Sequence, residues 1–241
     1  KFRLSKSGEH TFQYVLNGYH LLQKYGITTE ILCVVNAINS KFPKEVYAFF
    51  KSLKTEYLSF LPLVERMEGS SQVSENTVPA QEFGNFLIDI FDEWTEEDIG
   101  ELKIQVFQEA LRKAFNQDHT LCVFKKTCGG VPVLEHNGDF YSCDHYVNQE
   151  HFVGNIYEKT LLEMLSSDKQ YRFGQDKWES LPVYCLQCEV LDMCNGECPK
   201  NRFISAPDGE PGLNYLCAGY KKFFLHCLPF IETVRRIWKI R

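Results

Sequence analysis

Cysteine placement constrains this sequence more than any other feature. Of its ten cysteines, Cys33 stands alone in the first half, and the other nine lie between Cys122 and Cys227. Residues 1–18 are polar and mixed, unlike a secretory leader. In a leaderless chain of 241 residues, clustered cysteines read as metal ligands before they read as a disulfide framework. No run approaches the ~20 apolar residues that a membrane helix needs. The 26 basic and 32 acidic side chains leave a net charge of −6, which gives no general attraction to nucleic acid or anionic lipid. Together these features predict a soluble, cytoplasmic protein with no membrane and no nucleic-acid partner.

The sharpest pattern is Cys185-x2-Cys188-x5-Cys194-x3-Cys198, followed by Cys217, with Cys122-x5-Cys128 and Cys143 upstream. Thiolates are soft anions that suit iron–sulfur clusters and zinc. Two to five intervening residues let a loop wrap around one centre, and Gly196 permits a tight backbone turn. Eight thiolates divide evenly into two sets of four, and four cysteines are the usual ligand set of a [4Fe–4S] cluster. Two structural zinc sites would use the same ligands, and disulfides are a third use of the same side chains. Cys33 and Cys227 lie in apolar periodic segments and read as small buried hydrophobes. The seven histidines are scattered, and none has the i, i+4 partner of a metalloprotease helix.

Hydrophobic patterning divides the chain near Asp118, into residues 1–117 and 118–241. Phe12, Val15, Leu16, Tyr19 and Leu22 have helical spacing over 11–25, and Gly26 stops that helix. Residues 28–35 are β-branched and apolar and predict a buried strand. A helix over 43–53 follows, then a strand over 57–64 that Pro62 restricts to a strand end. Residues 65–78 read as a loop, 79–97 as an amphipathic helix, 102–107 as a short strand and 108–115 as a short helix. This alternation implies a parallel sheet with crossover helices. Two or three strands cannot close a barrel, and no strand precedes the first helix. The segment therefore reads as the last part of a larger α/β barrel. Beyond Asp118, Asn137-Gly138 between short apolar runs at 131–135 and 139–142 predicts a β-hairpin. A short helix is expected over 161–166, a cysteine- and glycine-rich loop over 181–220, and a closing helix over 221–240.

Cys128-x9-Gly138-x4-Cys143, together with Cys185, Cys188, Cys194, Cys198 and Cys217, resembles the SPASM domain of radical S-adenosylmethionine (SAM) enzymes. The flanking text HNGDFYSCDHY (136–146), GNIYEKTL (154–161), CEVLDMCNGECPKNRF (188–203) and GEPGLNYLCAGYKKFF (209–224) is similar to that of anaerobic sulfatase-maturating enzymes. FRLSKSGEHTF (2–12), VVN (34–36) and the helix around Trp94 extend the resemblance over nearly the whole chain.

The resemblance implies an α/β fold: the C-terminal part of a radical SAM, partial TIM-like barrel, then a loop-rich SPASM domain with a β-hairpin and a closing helix. It implies oxidation of one Cys or Ser of a sulfatase polypeptide to formylglycine. In that chemistry a 5′-deoxyadenosyl radical takes a hydrogen from the substrate β-carbon, an aspartate takes the thiol or hydroxyl proton, and auxiliary clusters accept or relay the remaining electron. The matching aspartate is Asp144. One auxiliary [4Fe–4S] cluster would take Cys122, Cys128, Cys143 and Cys198, and the other Cys185, Cys188, Cys194 and Cys217. Arg3 aligns with an arginine near SAM. SAM and a third [4Fe–4S] cluster belong to the full-length parent, with an electron donor such as flavodoxin or ferredoxin as a further partner. The family's C-x3-C-x2-C signature is not in this sequence, so this polypeptide alone is expected not to cleave SAM. Two other readings stand beside this one: another SPASM-type peptide-modifying radical SAM enzyme, such as a thioether former, and a non-catalytic iron–sulfur or zinc-binding module. GEPGLNYLC and MCNGECPKNR favour the sulfatase reading.

Overall fold

A computed structural model describes residues 3–239. Phe2, in the first quoted segment, and Ile240, at the end of the expected closing helix, lie outside the described residues.

The first half alternates as its patterning predicts. Helix α1 (Phe12–Lys24) ends at Gly26, whose φ of +66° suits a residue without a Cβ. Strand β1 (Glu30–Val35), helix α2 (Pro43–Ser52) and strand β2 (Tyr57–Pro62) follow. Helix α3 (Ala80–Glu97), strand β3 (Lys103–Ile104) and helix α4 (Gln105–Arg112) complete the unit. The three strands form one parallel sheet in the order β1-β2-β3, with Cys33 opposite Phe60.

Two local expectations are corrected. β1 is not a buried strand: Cys33 and Val35 join the core, while Leu32 and Val34 are 61% and 47% exposed. It is the edge of the sheet, and alternate side chains of a strand point to opposite faces. The 102–107 strand shrinks to two residues because α4 begins at Gln105. Val106, Phe107 and Ala110 share the buried face of that helix, so tertiary packing outweighs their strand propensity.

In the second half, β4 (Val133–Leu134) and β5 (Asp139–Tyr141) pair antiparallel around the Asn137-Gly138 turn. Gly138 has φ +89°, a conformation that a side chain would strain. A third strand, β6 (Phe152–Asn155), extends this sheet. Helix α5 (Leu161–Leu165) starts in a capping box between Thr160 and Glu163. Helix α6 (Asp168–Glu179) had no counterpart in the sequence reading. The region read as loop contains two single-turn helices, α7 (Val183–Leu186) and α8 (Leu191–Cys194), and a hairpin of β7 (Ile204–Ser205) and β8 (Pro211–Leu213). The closing helix α9 (Cys217–Ile237) begins at Cys217 rather than at 221.

One hydrophobic core joins residues from both halves. Its seam is α3 against α9. The Phe91 ring lies 5.8 Å from Phe223 and 5.6 Å from Phe230, both edge-on, and Phe83 meets Tyr220 at 5.4 Å. At the crossing, the helices touch backbone to backbone. A Cβ on Gly84 would lie 2.6 Å from the Gly219 carbonyl oxygen, and one on Gly219 would overlap the Ala80 carbonyl oxygen. The buried Cys33 and Cys227 are part of this core, as small hydrophobes would be.

Candidate metal centres

Cys185, Cys188, Cys194 and Cys217 line a single cavity, floored by Val190 and Leu191. Two single-turn helices and the start of a long one bring three of them there. Cys185 sits in α7, Cys194 ends α8, and Cys217 opens α9. Burial pushes the Cys217 thiol up to about 11, with the charges of Cys185 and Cys188 adding to the rise. Burial also raises Cys194 and Cys185.

The other four cysteines come from more distant segments. Cys122 opens a one-turn 3-10 helix, Cys128 follows it, Cys143 leaves β5, and Cys198 precedes another 3-10 turn. Burial pushes Cys143 up to about 11 and Cys198 to about 12. Cys128 acts electrostatically on both, and Cys122 acts on Cys128. The resemblance assigns these eight cysteines to two sets of four; Cys185, Cys188, Cys194 and Cys217 share one cavity, and none of the eight is in a disulfide.

Helix α6 organises the second of these sets from one of its faces. Gln170, Gly174 and Lys177 recur at i, i+4 and i+7, a single helical stripe. Gln170 Nε2 donates to the carbonyls of Gly129 (2.9 Å) and Ser142 (3.3 Å), the residues beside Cys128 and Cys143. The Gly174 carbonyl accepts from the Cys128 amide at 3.1 Å, and a Cβ on Gly174 would lie 2.9 Å from the Cys128 oxygen. Lys177 Nζ donates to the carbonyls of Cys122 (3.0 Å), Val123 (2.8 Å) and Lys125 (2.5 Å). The approach to Cys122 is fixed from α4: the buried Glu109 carboxylate meets His119 Nδ1 at 2.7 Å and accepts from the Leu121 amide at 3.0 Å.

Between Cys194 and Cys198 the chain makes a left-handed turn. Asn195, Gly196 and Glu197 have φ of 47°, 70° and 51° in succession. Only glycine adopts this region without cost, and other residues lose roughly 1–2 kcal/mol there. Arg202 offsets that cost. Its guanidinium donates to the carbonyls of Gly196 (2.9 Å), Asn195 (3.1 Å) and Glu197 (3.3 Å), and also to that of Lys177 (2.5 Å). The turn carries the chain from Cys194, which lines the cavity, to Cys198, which does not.

The donor chemistry fits iron–sulfur clusters. Burial makes the thiols of Cys128, Cys143, Cys185, Cys194, Cys198 and Cys217 resist ionising alone, and coordination to a cation is what makes such thiols anionic. Beside the Cys143 loop, the buried Ser142 Oγ and Gln170 Oε1 have no protein partner. The cluster of Glu93, Glu97 and Asp98 is a different matter: Lys51 Nζ already bridges it, at 3.4, 2.8 and 2.9 Å. Asp144 is exposed beside Cys143, and its Oδ1 accepts from the Cys143 thiol at 3.2 Å. Arg3 is exposed and lines, with Phe12, Leu16 and Ile31, a cleft between α1 and the first half of β1. The sequence reading missed Gln170, Lys177, Arg202 and Glu109. A charged residue on a polar helix carries no sign that it is buried, although Lys177 is 1% exposed.

Residues 122–189 match the SPASM family, an iron-sulfur cluster-binding domain. The chain is 42% identical to the serine-type anaerobic sulfatase-maturating enzyme of Bacteroides thetaiotaomicron, covering 98% of this chain and 60% of that protein. It is 28% identical to the cysteine-type enzyme of Clostridium perfringens, covering 94% of this chain and 61% of the other. Its fold superimposes with a TM-score of 0.84 on the solved structure of native anSMEcpe with bound AdoMet and Kp18Cys peptide, at 28% identity over 97% of this chain and 65% of that one. The chain therefore spans about 60% of the length of the curated relatives it matches.

Proposed function

Because the chain is homologous to the anaerobic sulfatase-maturating enzymes and carries a SPASM domain, we propose that it is the C-terminal portion of a cytoplasmic radical SAM oxidase that converts a Cys or Ser of a sulfatase to formylglycine. The observation that carries this reading is the convergence of the disulfide-free Cys185, Cys188, Cys194 and Cys217 on one cavity, with Asp144 accepting from the thiol of Cys143 elsewhere in the same domain. When bound, two auxiliary [4Fe–4S] clusters would supply an acceptor or relay for the electron that the oxidation releases. Cys122, Cys128, Cys143 and Cys198 would hold one, and Cys185, Cys188, Cys194 and Cys217 the other.

The protein's own contribution is positional. Asp144 is the general base for the substrate thiol or hydroxyl, and such a base must come within ~2.6–3.2 Å of the proton it takes. Its backbone is tethered by Cys143 on one side and by the Tyr146–His151–Phe173 ring cluster on the other, with centroids 4.6–5.7 Å apart. In this structure the Cys143 thiol donates to the carboxylate. A thiolate ligand has no proton to donate, so ligation leaves Oδ1 available to substrate. Arg3 would contact SAM, and a flavodoxin or ferredoxin would supply reducing electrons. The portion alone would not cleave SAM.

The test is an anaerobic assay of the full-length protein with Cys- and Ser-bearing sulfatase peptides, beside iron and sulfide analysis. Formylglycine in either peptide, from protein with two auxiliary clusters, is the expected result. Stoichiometric zinc without sulfide, or clusters without peptide oxidation, would overturn the reading.

A further inference from the structure

Lys177 is a buried cation whose ammonium has carbonyl partners only among the hydrogen bonds described: Cys122, Val123 and Lys125. Burying an ammonium among neutral carbonyls is costly unless a negative charge lies within reach. Lys177 Nζ reaches the Cys122 carbonyl at 3.0 Å, and on the same helical face Gly174 accepts from the Cys128 amide and Gln170 donates to the carbonyl before Cys143, so the cation faces the segments that carry Cys122, Cys128 and Cys143.

We propose that Lys177 is a positioning residue for one auxiliary cluster only: its ammonium fixes the Cys122 loop and selectively stabilises the reduced form of the cluster that Cys122, Cys128, Cys143 and Cys198 hold. This rests on the cluster reading above. A four-thiolate cluster gains one negative charge on reduction, and a fixed cation nearby in a low-dielectric setting makes that gain easier, raising the reduction potential. The carbonyl contacts matter because they hold the charge at one point rather than on a mobile stem. The consequence is an asymmetry: two clusters of the same composition would differ in potential, the Lys177 cluster being the easier to reduce through this contact.

The experiment compares full-length wild-type protein with Lys177→Gln, which can still donate hydrogen bonds but carries no charge, and with Lys177→Met, which does neither. Iron and sulfide are counted, and each cluster is titrated with dithionite while its electron paramagnetic resonance signal is followed. Cys217→Ser identifies the signal of the other cluster. Lys177→Gln is expected to keep its iron and to shift one potential downward, leaving the other in place. Lys177→Met is expected to do the same or to lose only the iron of that cluster. Unshifted potentials in Lys177→Gln, equal shifts of both, or loss of all iron together with the helical circular dichroism would overturn the inference. Wild-type protein without about eight iron and eight sulfide would overturn the cluster reading itself and this inference with it.

Discussion

Gly219 lies with its backbone against that of Gly84, and neither position has room for a methyl group. The contact sets how closely α9 approaches α3, and α9 begins at Cys217. Overpacking of this kind costs about 1–3 kcal/mol, and more where the obstacle is backbone. Gly219→Ala should therefore lower stability by at least that amount in urea denaturation and reduce iron retention. Gly18→Ala provides the contrast. Gly18 is helical with nothing within 4 Å of an added Cβ, so alanine should stabilise by about 0.5–1 kcal/mol. Equal effects at the two positions would show that the helix crossing is not tight.

Asp144→Asn keeps size and hydrogen bonding but removes the base. In the full-length protein the clusters and SAM cleavage should survive, with 5′-deoxyadenosine still released, while formylglycine formation falls by about 10²–10⁴-fold. Mass spectrometry of the peptide, run beside nucleoside chromatography, separates the outcomes. Product at a near-parental rate would place the base elsewhere, and loss of iron would make Asp144 structural.

Arg202 holds three successive carbonyls of a left-handed turn, all on buried residues. Each buried carbonyl left unpaired costs about 1–3 kcal/mol. Arg202→Ala should lose at least ~3 kcal/mol, by the same estimate, and should lower iron incorporation at both sites, since the turn feeds Cys194 to one and Cys198 to the other. Arg202→Lys should recover only part of this, because a single ammonium cannot reproduce the planar fork. Full iron in Arg202→Ala would show that the turn holds its shape unaided.

Glu109 gives the fold a defined acid response. Burial pushes its carboxyl up, but the hydrogen bonds from His119, Thr120 and the Leu121 amide outweigh burial and leave it below its usual value. A carboxyl depressed in the folded state stabilises fully above its unfolded value, near ~4.3 for Glu. That contribution disappears as pH falls through the lower folded value. Wild-type stability should thus decline below about pH 4 more steeply than that of Glu109→Gln. Denaturation midpoints measured from pH 3 to 7 test this, and parallel curves would count against it.

The sequence was most informative where chemistry and period coincide. The long amphipathic helix around Trp94 and the Asn137-Gly138 hairpin are in place because their signals are local. The cysteine spacing pointed to iron–sulfur ligation, and the structure brings Cys185, Cys188, Cys194 and Cys217 to one cavity. What stayed hidden depends on non-local contacts. Helix α6 has little apolar content, and its buried stripe is Gln170, Gly174 and Lys177, residues that pattern analysis assigns to solvent. β1 read as buried because its composition is apolar on both faces. Leu32 and Val34 lie on the less covered face of the sheet, where their neighbour Leu61 on the central β2 is 39% exposed as well.

That edge also governs how the polypeptide behaves as a colloid. Among the described residues β1 pairs with β2 alone, and the apolar side chains of α1 beside it stand open, Phe12 at 57% exposure and Leu22 at 42%. A strand bordered on one side only is a template onto which an extended segment of another molecule can add. The 241 residues on their own should therefore show light scattering that rises with concentration.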